Sequence, residues 1–147
     1  MTYKLDEKDI KIMKLLKEQG DLTTGQLSKK TLLPATTVHN RIKKLKKEKI
    51  IKFTIDVDNS KIGKGFLSYV LVSVNLPMLK EKRKTQYDLI RELLNCNFVE
   101  RADIVSGGTD IVVTVRVKDV EEFDKVLLQK LQLIEGIEKT QSLIVIH

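Results

Sequence analysis

The chain is poor in several features, and each shortage removes a class of function. One cysteine, Cys96, stands among 147 residues, so no intrachain disulfide can form. Its neighbours Asn95 and Asn97 supply no positive charge to activate a thiol, and Cys96 reads as a small, half-buried apolar residue. No apolar run approaches the roughly 20 residues that cross a bilayer. The charges within Met1–Glu7 stand where a secretory signal has its apolar core. A cytoplasmic protein with no membrane partner is the expectation. Of the two histidines, His39 has no second ligand near it and His147 is at the far end, so no metal site is expected. Nor does any nucleophile stand beside a base, and no catalytic residue is assigned.

Acidic residues are scarce in one half only. Residues 1–63 hold 15 Lys/Arg against 8 Asp/Glu, whereas residues 64–147 hold 12 of each. The whole net charge of +7 therefore lies in the first half. A basic module joined to a neutral one suits a polyanion such as nucleic acid. Membrane surfaces are polyanions too, so the pattern within that half has to decide. With 41% hydrophobic and 32% charged residues, the chain falls in the globular class.

Leu5 to Gly20 reads as a helix, with Asp6 as cap and Glu7 and Asp9 complementing the dipole. Its apolar stripe is Ile10, Met13 and Leu16, widened by Ile12 and Leu15, and Gly20 ends it. Thr23-Thr24-Gly25-Gln26 is a capping box that opens a second helix to about Lys30. Thr31-Leu32-Leu33 is too short for more than a tight connection, and Pro34 opens a third helix to about Lys49. Two helices about a three-residue turn, the second of them basic, form a helix-turn-helix.

At about 100° per residue, Val38, Ile42 and Leu45 share one narrow arc of the third helix and face the core. Thr36, Thr37, His39, Asn40, Lys43, Lys44 and Lys47 occupy the opposite arc, with Arg41 at its edge. All of these donate hydrogen bonds or carry positive charge, which suits a groove lined by phosphates and base edges. Seven basic residues between Arg41 and Lys52 face one acid, Glu48, whereas an ordinary solvated helix mixes its signs. Thr36, Thr37, His39 and Asn40 are the candidates for base edges. Arg41, Lys43, Lys44 and Lys47 are the candidates for phosphates, and double-stranded DNA is the expected partner.

Ile50 to Val57 alternates apolar and polar residues and reads as a strand; Asp58-Asn59-Ser60 breaks it, and Lys61 to Gly65 reads as a hinge. A six-element pattern follows. Phe66 to Leu76 is a strand stopped by Pro77, and Glu81 to Leu94 is a helix with Tyr87, Ile90, Leu93 and Leu94 on one face. Phe98 to Val105 is a strand turned by Ser106-Gly107-Gly108, and Ile111 to Val117 follows with its odd-numbered positions inward. Val120, Phe123, Leu127, Leu131 and Ile134 line a helix ended by Gly136, and Ile137 to Ile146 closes the sheet. This βαββαβ order is a ferredoxin-like sandwich. The predicted class is α+β: helix-turn-helix at 1–50, hinge strand and linker at 51–64, and the sandwich at 65–147.

Two helices cover only one face of such a sheet. Yet the first strand is apolar on both, with Leu67, Tyr69 and Leu71 against Phe66, Val70, Val72 and Val74. The uncovered face is expected to pack on a second copy, and a dimer would let two helix-turn-helices read two half-sites.

LDEKDIKIMKLL at the start, QLSKKTLLPATTVHNRIKKL through the helix-turn-helix, KIIKFTIDVDNSKIG and VSGGTDIVVTVRV resemble, in order and spacing, the Lrp/AsnC (feast/famine) regulators over Leu5 to Ile146. The resemblance implies a prokaryotic transcription regulator with an effector domain that dimerises through its sheet and often assembles further, to tetramers or octamers. It also implies that a small metabolite, usually an amino acid, binds between subunits near a glycine loop. Here that loop is Ser106, Gly107, Gly108, Thr109 and Asp110. Glycines let backbone N–H groups approach a carboxylate, and Asp110 is placed to pair with an ammonium. The same residues also fit an ordinary hairpin turn. Many members carry an aromatic residue where Thr109 stands. Many helix-turn-helices carry glycine where Leu32 stands, which implies a somewhat different turn. No cofactor beyond such an effector is expected. Two alternatives stay open: an architectural DNA-coating protein without effector, and an enzyme resembling the sirohaem decarboxylases, which share the architecture.

Overall fold

In the computed structural model, which describes residues 2–147, Asp6 opens helix α1 (Glu7–Glu18) through a reciprocal capping box with Asp9. Helix α2 (Thr24–Thr31) starts from the Thr23–Gln26 box, and α3 (Ala35–Lys47) follows Pro34, which sits at the cap itself. Ile12, Leu27 and Val38 form the buried centre, flanked by Leu15, Leu16, Leu22, Leu33 and Ile42. The buried seam of α1 is Asp9 and Ile12, whereas Ile10 is 56% exposed. The expected stripe on Ile10 is displaced because the seam includes a carboxylate, and apolar periodicity cannot count one. Nor does Gly20 adopt a left-handed conformation; the end of α1 is closed by the Gln19 N–H on Leu15 O.

The anticipated strand at 50–57 does not form. Ile50 N–H still donates to Leu45 O at 2.9 Å, and no described strand pairs with the residues beyond it. A strand needs a neighbour's carbonyls and amides, and its alternation alone supplies none. Phe53 and Ile55 are 44% and 82% exposed. Lys61 to Gly65, expected as a hinge, is folded with Asp58–Ser60 into a hydrogen-bonded turn: Lys61 N–H donates to Asp58 O, Lys64 N–H to Asn59 O.

The chain divides into two units, Met1–Asp56 and Val57–His147. The second is a four-stranded antiparallel sheet of β1 (Phe66–Val74), β2 (Val99–Ile104), β3 (Ile111–Val117) and β4 (Ile137–Ile144), in the order β2-β3-β1-β4. Ile111, Val113, Val115 and Val117 point inward with Val70, Val72 and Val74. Two helices cover that face, α5 (Gln86–Leu94) through Leu89 and Leu93, and α6 (Val120–Gln129) through Phe123 and Val126. This is the expected α+β sandwich, with local differences. Asn75 caps a separate short helix, α4 (Leu76–Glu81), so α5 begins only at the Thr85–Asp88 capping box. The buried face of α5 is Leu89 and Leu93, and Tyr87 and Leu94 are 69% and 48% exposed. Helix α6 ends before Leu131, which is buried from a 3₁₀ turn, and Val120 is exposed. The opposite sheet face is bare, with Tyr69 41% and Leu143 46% exposed.

Candidate nucleic-acid interface and effector cleft

The turn between α2 and α3 is held by side chains bonded to backbone carbonyls. Thr31 Oγ1 donates to Leu27 O, Ser28 Oγ to Leu33 O, and Lys11 Nζ to Thr31 O at 3.0 Å. Leu32 sits between these anchors at φ 59°, ψ 28°, with its side chain 87% exposed. The turn is thus the one glycine usually makes, adopted by a leucine. The different turn that Leu32 implied is absent, because the three anchors outweigh the cost of a left-handed side chain.

From that turn α3 projects with Val38 and Leu45 fully buried and Ile42 half-buried. Thr36, His39, Asn40, Lys43, Lys44 and Lys47 are all exposed, on a helix without a single acid. Thr37 is half-buried. No side chain caps the first turn, so its N–H groups are open to an anion at the positive end of the helix dipole. Lys44 Nζ lies 5.2 Å from the Tyr3 ring centre, and Lys46 Nζ lies 5.4 Å from that of Phe53. Each contact steadies a long cation without neutralising it.

Arg41 is different. Its Nη1 donates to Asp6 and, at 3.0 Å, to Asp9, whose side chain is only 3% exposed. The guanidinium holds the Asp6 carboxyl down to about 2, well below its usual 3.8. Arg41 therefore ties α3 to the start of α1, whereas Lys43, Lys44 and Lys47 are exposed and take part in no ion pair among the described residues. Spacing could not reveal this, since Asp6 and Arg41 are 35 residues apart.

In the second unit the glycine loop splits by role. Asp110 N–H donates to Val72 O, and its Oδ2 accepts the Val74 N–H at 2.8 Å. The β1–β3 ladder ends at Val72 and Ile111, and Asp110 satisfies the Val74 amide that lies just beyond it. That carboxylate oxygen is committed to the sheet rather than held out for an ammonium. Thr109 Oγ1 donates to Val72 O. Gly108 and Thr109 then line an open cleft of about 400 Å³, with Leu71 and Ser73 from β1 and Lys139 and Gln141 from β4. Ser106, Gly107 and Asp110 do not line it. Sequence reasoning misses Lys139, Gln141 and Ser73, because strand alternation gives a face but not which strands are neighbours. Among the described residues, no group of His, Cys, Asp or Glu is arranged to hold a metal ion. No described helix is long and apolar enough to cross a membrane.

Comparison with known proteins places both units. Residues 5–52 match a family model described as winged helix-turn-helix DNA-binding, and residues 70–147 match one described as Lrp/AsnC ligand binding domain. An uncharacterised HTH-type transcriptional regulator of Pyrococcus furiosus is 33% identical over 145 residues, covering 98% of this chain and 94% of its own. The HTH-type transcriptional regulator FL11 of Pyrococcus horikoshii is 33% identical over 149 residues, covering 99% of this chain and 92% of its own. Among solved structures, a Neisseria meningitidis transcriptional regulator in complex with L-Met superposes with a TM-score of 0.89 at 25% identity, covering 98% of this chain and 91% of that one.

Proposed function

The chain belongs to the Lrp/AsnC family of transcription regulators, and on that premise we propose how its residues carry out effector-modulated DNA binding. Thr36, Thr37, His39 and Asn40, in the first turns of α3, read base edges in the major groove. Lys43, Lys44 and Lys47 bind phosphates, and Arg41 holds the helix at its angle through Asp6 and Asp9. The observation that carries this reading is the acid-free arc of α3, exposed on a turn fixed by Lys11, Ser28 and Thr31.

The bare sheet face, with Tyr69 and Leu143 exposed and Leu67 and Leu71 half-buried, pairs two copies. A pair presents two α3 helices to half-sites about one helical turn apart. The cleft at Gly108 and Thr109 receives a small-molecule effector of amino-acid size, whose occupancy shifts DNA affinity or assembly. The Neisseria relative was solved with L-Met, and that ligand belongs to that protein.

The test is selection of bound duplexes from random DNA by the full chain, with and without a mixture of the twenty amino acids. The expected outcome is a two-fold symmetric site whose recovery changes with the mixture. Recovery of random sequence in both arms would mean DNA coating without sequence preference.

A further inference from the structure

The cleft beside the glycine loop is built for one sign of charge. Its lining carries a single formal charge, the ammonium of Lys139. Among the described residues, Lys139 takes part in no ion pair. No acid lines the cleft. Asp110 Oδ2 is bonded to the Val74 amide, and Asp103, on β2, is paired with Arg101. Glu138 precedes Lys139 on β4, at the register shift, and is not among the residues that line the cleft. Two of its lining residues, Gly108 and Thr109, have N–H groups that donate to no described carbonyl or side chain. The rest of the lining is neutral: the Ser73 hydroxyl, the Gln141 amide, Leu71, and the Thr109 hydroxyl already turned to Val72 O.

Lys139 and Ser73 are direct partners across the β1–β4 ladder, and Leu71 partners Gln141 further along. The cation is therefore carried by a rigid strand pair beside the loop. A ligand carboxylate can sit on the loop amides, leaving Lys139 to meet a second negative group. Nothing in the lining that this chain supplies offers an anion to a second ammonium.

We propose that this cleft selects small diacids of net negative charge, and that Lys139 is the residue that discriminates. The inference rests on the reading of the cleft as the effector site. Two sources share the chemistry, acidic amino acids and 2-oxo diacids, and they differ in whether an α-ammonium is present. A charge-assisted contact at such a site corresponds to about tenfold in affinity.

The experiment is calorimetric titration of the full chain with L-aspartate, L-glutamate, 2-oxoglutarate, L-leucine, L-methionine, L-lysine and L-arginine at fixed ionic strength. Wild type is expected to bind at least one diacid about tenfold more tightly than any neutral or basic amino acid. Lys139→Gln should remove that margin, and Lys139→Glu should turn it toward lysine and arginine. The diacid that binds best tells whether the α-ammonium is recognised. If a neutral or basic amino acid binds tightest to wild type, the charge inference is overturned while the effector site stands. If Lys139→Glu, folded by circular dichroism, keeps the wild-type ranking, the role of Lys139 is overturned. If no compound binds at millimolar concentration, the effector reading falls and this inference falls with it. The wild-type ranking alone is decisive should a variant fail to fold.

Discussion

Leu32 illustrates how much a single backbone conformation contributes to an interface. Its φ of 59° costs a leucine what glycine escapes, and its side chain, 87% exposed, returns almost no packing. Leu32→Gly should therefore stabilise the fold by about 0.5–1 kcal/mol, net of the entropy glycine adds to the unfolded chain. Urea unfolding of wild type and variant measures the difference, and a loss of stability would mean the leucine makes contacts that matter. Arg41 is the complementary case, a residue whose charge suggests a phosphate and whose contacts are internal. Asp6 titrates at about 2 when folded and nearer 3.8 when unfolded, so its pairing contributes fully above about pH 4 and is lost as pH falls through about 2. Arg41→Gln should lower the melting temperature at neutral pH, and its deficit relative to wild type should shrink between pH 4 and pH 2. A deficit that stays constant through that window would remove Asp6 from the account. Helical spacing places Arg41 correctly on the edge of the arc and misjudges its partner, because partners across 35 residues are set by packing.

At the scale of the element, legibility follows periodicity. Helix α3 is readable because Val38, Ile42 and Leu45 leave a clean opposite face, and β3 because its inward residues alternate strictly. Periodicity fails in α1, where a buried carboxylate interrupts the apolar count, and in α5, where Asn75 starts an extra helix before it. The segment at 50–57 alternates like a strand yet has no ladder partner. The lining of the cleft beside the glycine loop is legible only in its loop residues; its β1 and β4 residues meet through register. Gly136 shows what that junction demands. It has φ +101°, and a Cβ there would fall 2.4 Å from Leu79 Cδ2, beside Leu89 in the core. Its carbonyl also accepts the Asn75 N–H at 2.8 Å, joining the entry to β4 with the cap of α4. Gly136→Ala should cost about 2–4 kcal/mol through strain and overpacking. A thermal melt within about a degree of wild type would show that Leu79 can move aside.

For the whole molecule, the charge asymmetry is the feature from which the functional argument grows. All of the excess of seven positive charges lies within residues 1–63, and α3 concentrates five basic side chains with no acid among them. The neutral second unit has a bare sheet face and a small cleft. The central claim is that α3 contacts DNA through Lys43, Lys44 and Lys47, with Arg41 held inside the fold. The most direct measurement is the dependence of DNA affinity on salt for wild type, for the triple variant Lys43→Ala/Lys44→Ala/Lys47→Ala, and for Arg41→Gln. Every phosphate left without its lysine should reduce the slope of log affinity against log salt by about 0.9, so the triple variant should fall short of wild type by about 2.7 per bound protomer. Arg41→Gln should weaken binding with its slope unchanged. A triple variant that keeps the wild-type slope would contradict the account, because the phosphates would then be held by some other surface.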